Sequence, residues 1–317
     1  MTSSPRTWTL TDGHAGNVRQ ATALAHALAL PARDWVLRTR APWKPLAPRL
    51  LPGSDTAFGP QFQAALAHTP TLAIGCGRQA ALATRLLRAR GSCAVQILDP
   101  RIDPRHWDLL IVPEHDRLRG DNVLTLLGSL NPVDDAWLAD ARQQFPQLGA
   151  LPGPRTALLV GGPSAHAALD AGEVQRLCAA IDPVVRDESG TLMIATSRRT
   201  PAEVVAALRQ RYAGTSHLLW CDERDGVNPY AGLLGWAGRI VCTADSVNML
   251  SEACATHAPV YVHAPGRVRG RPQHFLHALL ERGRIHVLDQ ALEPFQVLPL
   301  RETVRIAAQV KQRLAIA

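Results

Sequence analysis

The sequence of 317 residues contains no long apolar run, no closely paired cysteines and almost no lysine. Apolar stretches such as residues 109–112 and 157–160 fall far short of the ~20 residues needed to span a bilayer, so integral insertion through helices is excluded. No apolar signal core or small-residue cleavage site precedes Trp8 and Leu10, and the chain is expected in the cytoplasm. The six cysteines (Cys76, Cys93, Cys178, Cys221, Cys242, Cys254) lack C-x-x-C spacing, which predicts buried free thiols and neither a disulfide framework nor a structural zinc site. Lys44 and Lys311 are the only lysines among 34 basic residues. No basic cluster interleaved with aromatics, zinc-finger spacing or RNA-binding sheet motif is present, and nucleic acid is not an expected partner.

What remains is a foldable composition. With 46% hydrophobic and 19% charged residues the chain can bury a large core, and its length predicts two domains or one large α/β domain. The net charge of +7 favours phosphate-bearing partners, from nucleotides to anionic headgroups. That balance is compatible with peripheral contact at the inner face of the cytoplasmic membrane, although no strongly basic amphipathic stretch marks it.

Short apolar runs alternate with helical patterns, the signature of repeated β-α units around parallel sheets. A first series predicts strands at residues 7–11, 35–38, 71–74, 94–98, 109–112 and 123–125. A second predicts strands at 156–160, 191–195, 217–220, 239–242 and 260–262. Prolines and glycines crowd residues 145–154, where the interdomain linker is expected, giving domains 1–148 and 149–317. A closing amphipathic helix is expected over 301–314, with Val304, Ala307, Ala308, Val310 and Leu314 on one face. The expected fold class is α/β: two doubly wound, Rossmann-like parallel-sheet domains facing a central cleft at the strands' carboxyl ends.

The polar residues gather at predicted strand ends. After the first strand come Asp12, Gly13, His14, Gly16, Asn17 and Gln20. Asn17 and Gln20 have capping-box spacing, while Asp12 and His14 suit general-base work; the plainer alternative is a capped strand-to-helix turn. Gly75, Cys76 and Gly77 precede Arg78, a guanidinium placed to meet a phosphate or carboxylate. His115 and Asp116 follow another strand as candidate acid/base residues, or as a solvated loop. Gly161 and Gly162 form a glycine turn able to bring a diphosphate near the backbone, but without the P-loop lysine that ATP hydrolysis would require. Thr196, Ser197, Arg198 and Arg199 suggest phosphate binding, with Thr200 and Pro201 as N-cap and first helical residue. Asn228 and Pro229 start a short helix at Tyr230. Asp245 or Ser246 caps the next helix, on which Asp245, Asn248 and Glu252 are expected to share a face beside the partial positive charge of its N-terminus. The alternative for Glu252 is a structural ion pair.

Taken together, these stretches resemble the mitochondrial-fission (elongated-mitochondria) family, whose bacterial members are described as candidate glycosyltransferases. The resemblance implies a GT-B architecture with the donor nucleotide sugar held by the C-terminal domain. Glu252 resembles the glutamate that grips the donor ribose or sugar in transferases of that fold. Asp12 and His14 resemble their acceptor side. The reading that follows is a metal-independent glycosyltransferase without a bound cofactor, moving sugar from a nucleotide-diphosphate donor to a cell-envelope acceptor, a lipid-linked one among the options. Asp12, His14, His115 and Asp116 are its candidate bases. Arg78, Arg198, Arg199 and Ser246 are its phosphate binders, and Thr196, Ser197, Asn228, Tyr230, Asp245 and Asn248 complete the donor side. A non-catalytic membrane-surface adaptor and a nucleotide-sugar epimerase of the same architecture are the alternatives.

Overall fold

The computed structural model describes residues 6–289 and 291–316. Residues 1–5, on which part of the expectation about a signal segment rests, lie outside them. The described residues divide into two compact units. One runs up to Pro132 and takes back the terminal helix Glu302–Leu314; the other is Val133–Arg301.

The first unit holds β1 (Thr7–Thr11), β2 (Ala32–Val36), β3 (Leu72–Cys76), β4 (Cys93–Ile97), β5 (Leu109–Pro113) and β6 (Val123–Leu126), all parallel, in the order β2-β1-β3-β4-β5-β6. The second holds β7 (Arg155–Val160), β8 (Thr191–Thr196), β9 (Leu218–Trp220), β10 (Arg239–Thr243), β11 (Val260–His263) and β12 (Ile285–Val287), also parallel, in the order β12-β11-β10-β7-β8-β9. Both are doubly wound, and strand order reverses between β1 and β3 and between β7 and β10. Ligands of such sheets bind outside the carboxyl ends at these points.

Alternation along the strands explains the layering. In β3, Leu72, Ile74 and Cys76 face a cluster with Leu24 and Leu28, whereas Ala73 faces Leu82, Phe62 and Trp8 on the other side. Two expectations shift by a few residues or fail. The second strand is Ala32–Val36, not 35–38: Val36 pairs with Thr11, the last residue of β1, and the bond from Leu37 N to the Thr11 carbonyl is the final rung of that ladder. β12 was not expected: it has three residues, of which Ile285 alone is buried, too short for a periodic signal.

The division between units also differs from the expected 148/149. Residues 145–154 are not a linker. The helix Asp135–Gln144 and the turn of helix Pro146–Gly149 pack on the helix Tyr230–Trp236 of the second unit, where a Cβ on Gly232 would lie 2.6 Å from that of Phe145. Trp236 Nε1 donates to the Phe145 carbonyl at 2.9 Å, and Arg142 donates to Gly235 at 3.1 Å. The terminal helix belongs to the first unit, since Ile306, Ala307 and Val310 complete the cluster around Leu24. Glu302 accepts from the Leu127 amide and Thr303 exchanges hydrogen bonds with the Asn131 backbone. Its buried face carries Thr303 and Ile306 in place of the expected Val304 and Ala308, both of which are exposed.

No helix among the described residues is long and apolar enough to cross a membrane. The six cysteines are free, five of them buried. Arg284, 5% exposed and immediately before β12, donates to the carbonyls of Ala253, Cys254, Thr256 and Ala258, closing the carboxyl end of the helix Val247–Cys254. Arg284→Met removes these bonds in a dry setting; Ala253 and Cys254 keep donors from Thr256 and Leu300, while the Thr256 and Ala258 carbonyls lose theirs, and the change is expected to cost about 3 kcal/mol of unfolding free energy. Urea denaturation measures this; a loss below about 0.5 kcal/mol, the range of an ordinary surface change, would contradict the assigned role.

Candidate functional site

In the second unit the carboxyl ends of β8, β7 and β10 lie side by side, so the glycine turn, the 196–200 turn and the start of the helix Val247–Cys254 meet. The glycine turn is filled by the chain itself. Gly161 N donates to Thr243 Oγ1 and Gly162 N to Asp245 Oδ2, both at 2.8 Å. A Cβ on Gly161 would fall 2.0 Å from Asp245 Oδ2, and one on Gly162 would fall 2.3 Å from the Arg199 carbonyl oxygen. These glycines admit neighbouring protein groups, and the expected open diphosphate turn is closed here.

The 196–200 turn is likewise locked. Thr196 Oγ1 donates to the Cys221 carbonyl, Ser197 N to Thr200 Oγ1, and Thr200 Oγ1 to the Gly161 carbonyl. Thr200 is therefore not the N-cap; Pro201 holds that place before the helix Ala202–Tyr212. Arg198 is exposed, and Arg199 is half-exposed with its Nη2 3.7 Å from Asp245 Oδ2. The second Asp245 oxygen, Oδ1, is buried without a hydrogen bond.

Ser246 is the N-cap of the helix Val247–Cys254, accepting from Met249 N at 3.4 Å. Asp245 sits ahead of the helix and turns to Gly162, so it does not share a face with Asn248 and Glu252 as expected. Glu252 is 2% exposed and accepts from the Tyr230 hydroxyl at 2.5 Å. Asn228 Oδ1 in turn accepts from Tyr230 N at 3.0 Å and fixes the start of the helix Tyr230–Trp236. Two motifs read separately in the sequence thus form one contact.

A neighbouring cluster escaped the sequence reading. Beyond Asp245 and Thr243, a small open depression is lined also by Glu173, His263 and Arg267. The Glu173 side chain is 8% exposed, lies 2.7 Å from His263 Nε2 and pairs with Arg176 and Arg267. Burial raises its pKa, but the Arg176 and His263 contacts outweigh this and hold the carboxyl below its usual range. Asp170 accepts from Glu173 N at 2.8 Å, capping the helix Ala171–Asp187. That Asp-x-x-Glu spacing was the available signal; the His263 partner, 90 residues away, gave none.

In the first unit, Asp12 and His14 stand at the β1/β3 reversal. His14 Nδ1 lies 3.0 Å from Asp12 Oδ2, and Asp12 Oδ1 accepts from the His14 amide at 3.1 Å and from Asn17 Nδ2 at 2.9 Å. Burial raises the Asp12 pKa, but the Asn17 and His14 hydrogen bonds prevail and hold it below the usual carboxylate range. Burial pushes the Cys76 thiol far up, leaving it protonated as a donor to Asn17 Oδ1 at 3.6 Å. Gly77, at φ +89°, has no room for a side chain: a Cβ would lie 2.7 Å from Asn17 Nδ2.

The other first-unit expectations change. The helix Ala15–Ala27 begins inside the expected capping box: His14 is its N-cap, with no side-chain cap, and Gly16, Asn17 and the buried Gln20 are within it. Gly13, at φ +81°, lets the chain pass Val36. Arg78 donates to the carbonyls of Ala47 at 2.6 Å and Pro45 at 2.7 Å, holding a loop instead of facing a phosphate. His115 and Asp116 lie in the short 3-10 turn after β5. Two strands separate β1 from β5, a spacing of roughly 14 Å, so the four candidate bases are not one cluster. No group of three or more His, Cys, Asp or Glu suited to a metal occurs among the described residues.

The family model described as "Mitochondrial fission ELM1" matches residues 15–314. The chain belongs to that family. It is 28% identical to the mitochondrial fission protein ELM1 of Arabidopsis thaliana over 78% of this chain, and spans 64% of the plant protein's length. It is 22% identical to the uncharacterized protein RP120 of Rickettsia prowazekii, covering 78% of this chain and 80% of that one. Among solved structures, UDP-GlcNAc 2-epimerase of Methanocaldococcus jannaschii aligns with a TM-score of 0.55 at 11% identity, covering 96% of this chain and 99% of that one. Os79 of O. sativa in complex with UDP aligns with a TM-score of 0.53 at 11% identity, covering 98% and 93%. The shared fold is GT-B, with two Rossmann-like domains.

The Glu173 cluster makes a pH-dependent contribution. A carboxyl held below its unfolded value of about 4.3 adds stability that is complete above that pH and is lost as pH falls through the lower folded value. Glu173→Gln is expected to cost about 2 kcal/mol at neutral pH and to converge on wild type in acid. Denaturation from neutral to acid pH measures the difference, and a gap that persists unchanged would contradict the charge-based role.

Proposed function

We propose that this protein is a glycosyltransferase taking sugar from a nucleotide-diphosphate donor bound at the β7/β10 reversal. The observation carrying the reading is the Tyr230–Glu252 contact on the helix whose N-terminus opens at that point. A ribose or sugar hydroxyl donating to Glu252 takes the place of the Tyr230 hydroxyl, so the buried carboxylate stays paired in both states. The diphosphate lies toward Ser246, Asn248, Arg198 and Arg199, where guanidiniums and the helix dipole oppose its charge. The GT-B neighbours named with UDP and with a UDP-sugar epimerase reaction support a nucleotide-sugar ligand.

Of the candidate bases, the geometry favours His14. Ionised Asp12 holds the proton on Nδ1 and orients the ring, leaving Nε2 of the 81% exposed side chain to accept a proton. In the proposed transfer the acceptor hydroxyl oxygen bonds to the anomeric carbon as the bond to the diphosphate oxygen breaks, and the hydroxyl proton goes to a general base, the role for which His14 is the candidate. The leaving charge is met by the guanidiniums and backbone N–H groups, which is the basis for proposing metal-independent transfer. A cell-envelope acceptor and peripheral association with the cytoplasmic membrane complete the reading.

Calorimetry with UDP and UDP-sugars tests the donor side. Glu252→Ala is expected to weaken binding by about 10- to 100-fold, the value of a lost charge-assisted hydrogen bond. Unchanged affinity would remove Glu252 from the site, and no nucleotide binding by wild type would favour the adaptor alternative. Conversion of the sugar without any acceptor would instead identify an epimerase. His14→Ala is expected to lower turnover by about 10²- to 10⁴-fold with donor affinity unchanged, measured by product chromatography; equal turnover would exclude it as the base.

A further inference from the structure

The loop after β2 is held firmly at its base and left apolar at its tip. Arg78 grips the Pro45 and Ala47 carbonyls, and Arg85 Nη1 donates to the Pro48 carbonyl at 2.7 Å. Ala47 is fully buried in the cluster containing Phe58 and Phe62, with Trp43 packed against it. From this anchored base the chain presents Leu50 and Leu51, 37% and 39% exposed, to solvent, while Val36 at the end of β2 is 60% exposed. Leu50 and Leu51 are thus adjacent, partly exposed apolar side chains on a loop whose base is fixed.

Its charge says what kind. Arg38, Arg40, Lys44 and Arg49 are exposed, and residues 36–54 contain no Asp or Glu. None of the four is paired with a carboxylate among the described residues. Elsewhere in this chain arginines are repeatedly tied to acids, as Arg88 is to Asp108 and Arg105 to Asp103. We propose that this loop docks the first unit on an anionic lipid surface, with Leu50 and Leu51 entering the interface and the four cations meeting headgroup phosphates. Apolar insertion and charge attraction each give only modest affinity, and together they give reversible peripheral binding. The loop leaves β2 beside the Asp12–His14 turn: Leu37 N bonds the Thr11 carbonyl, and Val36 lies against Gly13. In the part that rests on the transferase reading, an acceptor carried in the bilayer would thus arrive next to the proposed base.

Co-sedimentation with vesicles of phosphatidylcholine alone and of equal phosphatidylcholine and phosphatidylglycerol tests the surface. Wild type is expected to bind the mixed vesicles, less so in high salt. Lys44→Gln with Arg49→Gln should weaken binding by about 25-fold, roughly five-fold for each charge. Leu50→Ser with Leu51→Ser should weaken it without changing its salt dependence. Equal binding to both vesicle types, or full binding by the charge variant, overturns the proposal. So does a concentration-dependent dimer that the leucine variant abolishes, which would assign the face to a second copy of the chain. Both variants keep wild-type UDP calorimetry if they are folded and the nucleotide reading is right. A wild type that binds vesicles but no nucleotide would leave the docking surface standing and remove only the transferase reading.

Discussion

The arrangement in the second unit depends on one carboxylate. Asp245 leaves β10 and turns back to the Gly162 amide, across a contact so close that Gly161 has no space for a methyl group. That bond joins the ends of β7 and β10, the two strands flanking the reversal. It also fixes where the helix Val247–Cys254 begins, with Ser246 as its cap. At the other end of that helix Arg284 takes up the carbonyls that no helical amide can reach. With both ends held, Glu252 is placed by the backbone and not by its own flexible chain, which is the condition for a preorganised site.

The abundance of arginine takes a different meaning in the structure. Net positive charge suggested phosphate, yet many guanidiniums serve the protein's own backbone. Arg78 and Arg85 hold the 45–48 carbonyls, Arg155 those of Gly149 and Leu151, and Arg284 those of four residues. Arg239 bridges Thr156 and Glu188. A planar group with five fixed donors can satisfy several carbonyls at once, which an ammonium on a flexible stem does less well. Arg198 and the 36–54 cations are notable because they are not used in this way.

What could be read in the sequence follows from burial. Strands enclosed on both faces, such as β3, β5 and β10, are apolar enough over their length to be located within a residue or two. The polar residues at their carboxyl ends are legible for the same reason, because the end of each apolar run marks where the strand stops. The misplaced boundary at 145–154 arose from treating Pro and Gly as punctuation. Gly149 instead lies against Trp236, and Pro146 starts a helical turn. Glu173 and His263 could not be joined, since only the sheet order brings the end of β11 near the helix after β7. Arg78 was visible as a residue but not as a contact, because its carbonyl partners carry no sequence signal.

The two units expose their chemistry in opposite ways. In the second, Glu252, Asp245 and Glu173 are nearly closed off, each already bonded to a protein group, so any ligand there must exchange one hydrogen bond for another. In the first, a chain from the buried Cys76 thiol through the half-buried Asn17 and Asp12 supports a histidine standing in solvent. A closed site discriminates strongly, because a ligand lacking the right hydroxyl leaves a buried carboxylate unpaired. An exposed base discriminates little and accepts any hydroxyl presented to it. On the proposed transferase reading, selectivity would therefore rest on the groups around Glu252, and the choice of acceptor on whatever brings a hydroxyl to His14.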